Sequence, residues 1–141
     1  MINFSVITSY ELEFVLRIAL AFIYGGLIGF ERERVDRPAG LRTHILVALG
    51  STQFTILSFY AFPGSDPARI AAAIVAGIGF IGAGTILQSK DKVTGITTAA
   101  SLWITASIGM ALGIGYYLVA TIVVILTYIT LKLKWLERRH N

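Results

Sequence analysis

The sequence predicts an all-α fold, a polytopic membrane bundle of about five transmembrane helices forming one domain over residues 1–141. Three observations lead there. Of the 141 residues, 55% are hydrophobic and 14% charged, against about 25% charged in a typical soluble domain. The charges lie between apolar runs, several of which approach the ~20 residues that cross ~30 Å of hydrocarbon. The basic residues also fall on one side of an odd number of spans. A soluble bundle built from these helices would lack polar sequence to cover its outside.

The spans run over about 12–30, 41–62, 68–88, 96–112 and 116–133. ERERVDRPAG separates the first two, and Pro38 and Gly40 break the chain before the second. PGSDP follows the second span; Asp66 is a natural N-cap and Pro67 suits a first helical turn, where a missing N–H costs little. SKDKVTG precedes the fourth span, which opens with Gly95, Thr97 and Thr98. Gly113 and Gly115 allow a tight connection to the fifth.

Arg32, Arg34, Arg37 and Arg42, then Lys90 and Lys92, then Lys132, Lys134, Arg138 and Arg139 all fall on one side if there are five spans. The other side has Arg69, plus Arg17 about one turn inside the first span. The positive-inside rule then sets the N-terminus outside and the C-terminus inside. An even count would break this segregation. The formal charge of +4 therefore reads as membrane topology, and nucleic acid is not expected as a partner. Membrane lipid is. The start, MINFSVITSY, has no Lys or Arg, unlike a cleavable signal peptide. With no cysteine, disulfides and thiolate metal sites are excluded. Tyr116, Tyr117 and Trp135 fall where interfacial aromatics belong, whereas Trp103 lies deeper and its indole N–H needs a partner.

A shift of 55 residues places Ala21, Gly29, Gly40 and Thr43 on Ala76, Gly84, Gly95 and Thr98. This suggests a parallel duplication of a helix pair, with chance among small residues as the alternative.

Glycines concentrate in two spans: Gly25 and Gly29 in the first, and Gly77, Gly79, Gly82 and Gly84 in the third. Small residues let backbones approach closely in lipid, so spans one and three are expected to pack through these faces. The alternative is a narrow path or a hinge. Gly77, Gly79 and Gly82 fit a GxGxxG pattern, but inside an apolar span without a βαβ context it does not indicate a nucleotide.

The ionisable residues form two layers. An inner polar group gathers Glu31, Arg32, Arg37, Arg42, Thr43 and His44, with Glu31 the expected partner of Arg42. An outer cluster gathers Asp66, Arg69 and Arg17, and Glu13 stands four residues before Arg17 in the order that favours an ion pair. Charges here must pair, face protein or snorkel. They serve either to fix topology and packing or, on the inner side, to form a site. Ser51, Thr52, Gln53, Thr55, Ser101, Thr105 and Ser107 lie at mid-depth with no Asp or Glu. That weakens a direct Mg²⁺ site, which favours carboxylates or retained water.

The stretches ERERVDRPAGLRTHILVALGS, DPARIAAAIVAGIGFIGAG and VTGITTAASLW, in this order, resemble the MgtC/SapB family. The resemblance covers about Gly25 to Gly115 and is carried by Glu31, Arg32, Arg37, Pro38, Gly40, Arg42, Thr43 and His44, then Asp66, Arg69, the four glycines of span three, Thr97, Thr98 and Trp103. It implies a bundle of about five helices in the bacterial inner membrane. It also implies roles in adaptation to low magnesium and, in pathogens, survival inside host cells. Action on membrane energetics through the ATP synthase is implied by the resemblance alone. Ala73 departs from the pattern, since many relatives carry Gln there. Longer members have a soluble C-terminal domain, which this chain is expected to lack.

Two readings of function follow. One is a regulatory protein acting by contact with itself or other membrane proteins. The other is a small transporter or channel for an ion or small solute. An enzyme working at the inner face would rest on Glu31 and His44 alone, so no catalytic residue, cofactor or metal site is expected.

Overall fold

A computed structural model describes residues 4–89 and 92–133. Lys90, Lys134, Arg138 and Arg139, used above for orientation, and the interfacial Trp135 lie outside the described residues. The order is α1 (Phe4–Arg34), α2 (Leu41–Tyr60), α3 (Ala68–Ala83), β1 (Leu87–Ser89), β2 (Lys92–Thr94), α4 (Ile96–Gly113) and α5 (Tyr117–Lys132). The protein is an all-α bundle with one small hairpin.

Helix α1 carries Glu31 to Arg34 as its last turn, where the sequence suggested a loop. Glu and Arg are good helix formers, and Arg32 and Arg34 favour a helix C-terminus. Asp36 stops the helix with φ 52°. Its N–H bonds Glu33 O at 3.0 Å and the Arg37 N–H bonds Arg32 O at 3.2 Å, the paired bonds of a Schellman end. Pro38 then holds the chain extended before it. The same paired bonds end α4, from Gly115 to Leu112 O and Tyr116 to Ala111 O, with Gly115 at φ +84°.

Helix α3 ends at Ala83, earlier than the 68–88 span expected. The β-branched residues Thr85, Ile86, Val93 and Thr94 favour extended chain, and the strands pair antiparallel as Leu87↔Thr94, Gln88↔Val93 and Ser89↔Lys92. Gly95 closes the hairpin at φ +90°, and an added Cβ there would lie 1.9 Å from Thr85 O. Only glycine satisfies both conditions.

Helices α2 and α4 run parallel. His44 meets Ser101 near their starts, and Thr52 meets Gly109 farther along. Helix α1 runs against α4: Arg32 reaches Thr98 and Arg17 reaches Gly113. Helix α4 is central, touching the other four helices. One core cluster joins Ala21 and Ile28 of α1, Ala48 of α2, Ile108 and Leu112 of α4, and Ala120 and Val124 of α5. A second joins Ala39 and Ile78 to Leu102 and Ala106.

The expected repeat fits in part. Leu41 and Ile96, which start α2 and α4, correspond in the 55-residue register. Ala21 is buried while Ala76 is exposed, so the first helices of the two pairs meet different surroundings.

The polarity is inverted relative to a soluble bundle. Ser51, Thr52, Thr55, Ser58, Thr98, Ser101 and Thr105 are buried, while Phe22, Leu46, Phe54, Phe80, Leu118 and Leu126 are exposed. An aqueous solvent would favour the reverse; hydrocarbon favours this one.

Candidate functional site

The C-terminal end of α1 and the N-terminal ends of α2 and α4 build a buried polar group. Helix α1 delivers Arg32, 4% exposed, whose Nη2 donates to Thr98 Oγ1 at 3.4 Å and whose Nη1 lies 3.7 Å from Glu31 Oε2. Glu31 thus pairs with its neighbour Arg32. The expected Glu31–Arg42 pair does not form, because the last turn of α1 turns Glu31 inward while Arg42 faces outward and is exposed. Three atoms at this end, Glu31 Oε2, Arg32 Nε and Arg37 Nε, are buried without a hydrogen-bond partner among the described residues.

His44 is fully buried. Its Nδ1 lies 2.9 Å from Gly40 O, and a carbonyl only accepts, so Nδ1 carries the hydrogen. Nε2 lies 3.0 Å from Ser101 Oγ, and that oxygen lies 2.7 Å from Thr98 O. With a neutral ring, the one Ser101 proton faces two acceptors. Deeper in, Thr105 Oγ1 donates to Ser101 O at 2.7 Å and Thr52 Oγ1 to Gly109 O at 2.9 Å. The Thr52 bond ties α2 to α4, whereas Thr105 bonds back within its own helix, and both hydroxyls stay within the packing. Gln53, at the same depth, is exposed.

The outer cluster separates into two parts. Arg17, also 4% exposed, donates from Nη1 to Gly113 O at 2.6 Å and from Nη2 to Glu13 Oε1, and Nε meets Tyr117 OH at 3.4 Å. Its guanidinium lies over the rings of Phe14 and Tyr60, at 5.5 and 5.7 Å. A cation on the last carbonyls of α4 complements that helix end. Asp66 instead accepts from Ala68 N–H at 2.9 Å, as a cap, and Arg69 is exposed. Among the described residues nothing joins Asp66 or Arg69 to Arg17, because the cap and the α4 terminus each hold one member.

The glycines pack differently from expectation. Gly25 and Gly29 face α2, where an added Cβ would lie 2.7 Å from His44 O and 2.8 Å from Leu41 Cα. The short α1–α2 connection makes these helices neighbours, and α1 does not pack face to face with α3. Gly82 faces α4, where an added Cβ would lie 3.4 Å from Ala99 Cβ, and Gly84 lies against carbonyls of its own helix. Gly77 and Gly79 face open space. The closest α2–α4 approach falls instead at Gly109 and Gly113, where an added Cβ would lie 2.6 Å from Ala48 O and 2.5 Å from Thr55 Cβ. Their four-residue spacing was the available signal. Trp103 and Thr97 are exposed on α4, and the indole has no hydrogen-bond partner among the described residues.

Between α2 and α3 lies an open groove of about 730 Å³. Arg42 and Thr43, at the start of α2, stand at one end with Ile81, and Phe54 and Ile70 at the other. Among the described residues no group of three His, Cys, Asp or Glu is placed to hold a metal ion.

The profile of the MgtC family matches residues 18–139. Over 113 residues, 74% of this chain and 53% of the relative, the chain is 50% identical to the Escherichia coli K12 protein named "Putative magnesium transporter YhiD". It is 48% identical to Protein MgtC of Brucella abortus over 111 residues, 77% of this chain and 47% of the relative. It is 45% identical to Protein MgtC of Salmonella typhimurium over 122 residues, 84% and 52% of the two chains. The chain spans about half the length of these curated relatives. No solved structure matches it. The profile match over most of the chain, with the inverted polarity of the bundle, makes this a bacterial membrane protein of the MgtC family.

Proposed function

We propose that the chain is a magnesium-linked regulatory protein of the inner membrane that acts by lateral contact with other membrane proteins. It spans the bilayer five times, with the N-terminus outside and the C-terminus inside. The observation that carries this reading is how the polar interior is used. His44, Thr52, Ser101 and Thr105 are buried and engaged with one another or with helix carbonyls, which favours a packing role for them over contact with a solute. By contrast, α3 turns Ala72, Ala76, Gly79 and Phe80 outward, and Phe80 is 85% exposed. Small residues beside one large apolar side chain suit helix-to-helix contact in lipid.

Helix α1 from Tyr10 and helix α4 are each long and apolar enough to cross a membrane. Helices α3 and α5, with 16 residues each, are ~24 Å long at ~1.5 Å per residue. Local thinning and snorkelling accommodate such a mismatch. Magnesium enters through the family and through the name of the Escherichia coli relative. The ATP synthase, implied by resemblance, is one partner to test, and a second copy of the chain is another.

A transporter is the second reading, favoured by that relative's name and by Ser51 lining the α2–α3 groove. Folded protein in proteoliposomes separates the two. Contact-based regulation predicts no specific Mg²⁺ flux, and a photo-cross-linker at Phe80 in native membranes should capture a discrete protein. Flux abolished by Glu31→Gln or Arg42→Ala would overturn the regulatory reading.

A further inference from the structure

The groove between α2 and α3 has features of a lipid site. Its walls are apolar for most of its length, and its depth comes from missing side chains: a Cβ added at Gly50 or Gly77 would meet nothing within 4 Å. Helix α3 leans on α4 through Gly82, Ile74 and Ile78, which leaves it splayed from the middle of α2. Arg42 to Phe54 covers ~18 Å of helix at ~1.5 Å per residue. One leaflet contributes half of a ~30 Å hydrocarbon core, about 15 Å. The groove therefore runs from the interface to about mid-membrane.

Its inner end is cationic. Arg42 lines it and has no ion-pair partner among the described residues. Glu33, the carboxylate nearest this helix end, accepts instead from Leu41 N–H at 2.8 Å. The Arg42 and Thr43 N–H groups have no acceptor among the described residues, since Glu33 takes only the Leu41 N–H and Gly40 has no side chain to cap α2. An exposed guanidinium beside free helix N–H groups suits a phosphate. An apolar helix from a second copy would fill the groove and leave that cation unmatched.

We propose that the groove holds one anionic phospholipid, its phosphate at Arg42 and Thr43 and one acyl chain along α2 and α3 as far as Phe54. Assigning the lipid to the inner leaflet rests on the orientation proposed above; its chemistry does not.

The test is native mass spectrometry of the full chain, purified in detergent with equal phosphatidylglycerol and phosphatidylethanolamine. This readout depends on neither orientation nor protein partner, so it can fail independently of the regulatory reading. One retained lipid is expected, with the anionic one preferred about five-fold, the effect of one basic residue near a headgroup. Arg42→Gln should remove the preference and Arg42→Lys should keep it. Gly77→Leu sets its Cβ where nothing lies within 4 Å and extends its branch into the groove, so it should reduce retention of both lipids while helical circular dichroism is unchanged. Equal retention of the two lipids by the native chain would overturn the proposal. So would an Arg42→Gln protein that keeps the preference, or Gly77→Leu without effect. A lipid-free dimer would assign the groove to a second copy.

Discussion

Gly109→Ala probes whether backbone contact holds α2 against α4. The new methyl would sit 2.6 Å from Ala48 O and 2.8 Å from Ser51 Cβ, where ordinary contact begins at 3.4 Å. The helices must therefore part by about 0.8 Å. Ala48 O belongs to the backbone, so no rotamer change relieves the clash. The same movement stretches the 2.9 Å bond from Thr52 Oγ1 to Gly109 O beyond useful reach. Overpacking costs about 1–3 kcal/mol, and a lost interhelical hydrogen bond in a membrane averages about 0.6 kcal/mol. Alanine's helix propensity offsets about 1 kcal/mol. The net expectation is a loss of about 1–2 kcal/mol. Gly77→Ala makes the same chemical change where the methyl meets nothing, so it should gain about 0–1 kcal/mol. Unfolding in mixed micelles with increasing dodecyl sulfate, followed by circular dichroism and tryptophan fluorescence, compares the two. If Gly109→Ala is as stable as Gly77→Ala, close backbone approach does not hold the bundle. Adding Gly113→Ala should be less than additive, because helices already parted no longer clash at Thr55.

Two further changes address the polar groups. Arg17→Gln removes the charged donor to Gly113 O and should cost about 1.5–3 kcal/mol, whereas Glu13, 41% exposed, should lose under ~1 kcal/mol on Glu13→Gln; the reverse order in the same unfolding assay would refute the α4 clamp. His44→Ala and Ser101→Ala, combined in a double-mutant cycle, should show coupling of about 0.5–1.5 kcal/mol through their 3.0 Å bond, and zero coupling would mean that bond does not form.

Much of the bundle was legible because element boundaries are written in local chemistry. Gly40 and Pro38 before α2, Asp66 and Pro67 before α3, Gly95 before α4 and Gly115 before α5 each mark a turn or a helix end. The ends of α1 and α3 were harder. ERER carries helix formers and reads as a loop only by its charge, while Thr85 and Ile86 are apolar enough to continue a span. Partner choice was harder still. Gly25 and Gly29 announce a close approach, but a four-residue spacing says nothing about which helix comes close. The open faces of Gly77 and Gly79 look the same in sequence as the packed face of Gly82.

The arginines show where the candidate site escaped the sequence. Arg17, Arg32 and Arg42 all lie near the ends of apolar runs, where a charge must pair, face protein or snorkel. Arg17 is committed to the α4 terminus, Glu13 and two aromatic rings. Arg32 points into the bundle toward Glu31 and Thr98. Both are buried; Arg17 is met by acceptors from α4 and α5, whereas Arg32 has one hydroxyl from α4 and the Glu31 carboxylate beside it, and its Nε is left without a partner among the described residues. Arg42 has no such acceptor among the described residues and is exposed where an apolar groove begins. A folded membrane protein keeps a cation at such a depth at least cost where an anion or the interface can meet it. Sequence position cannot separate these three fates, because each depends on which carbonyl, carboxylate or empty groove the fold sets opposite the guanidinium. Arg42 is therefore the residue at which the fold leaves chemistry available to something other than itself.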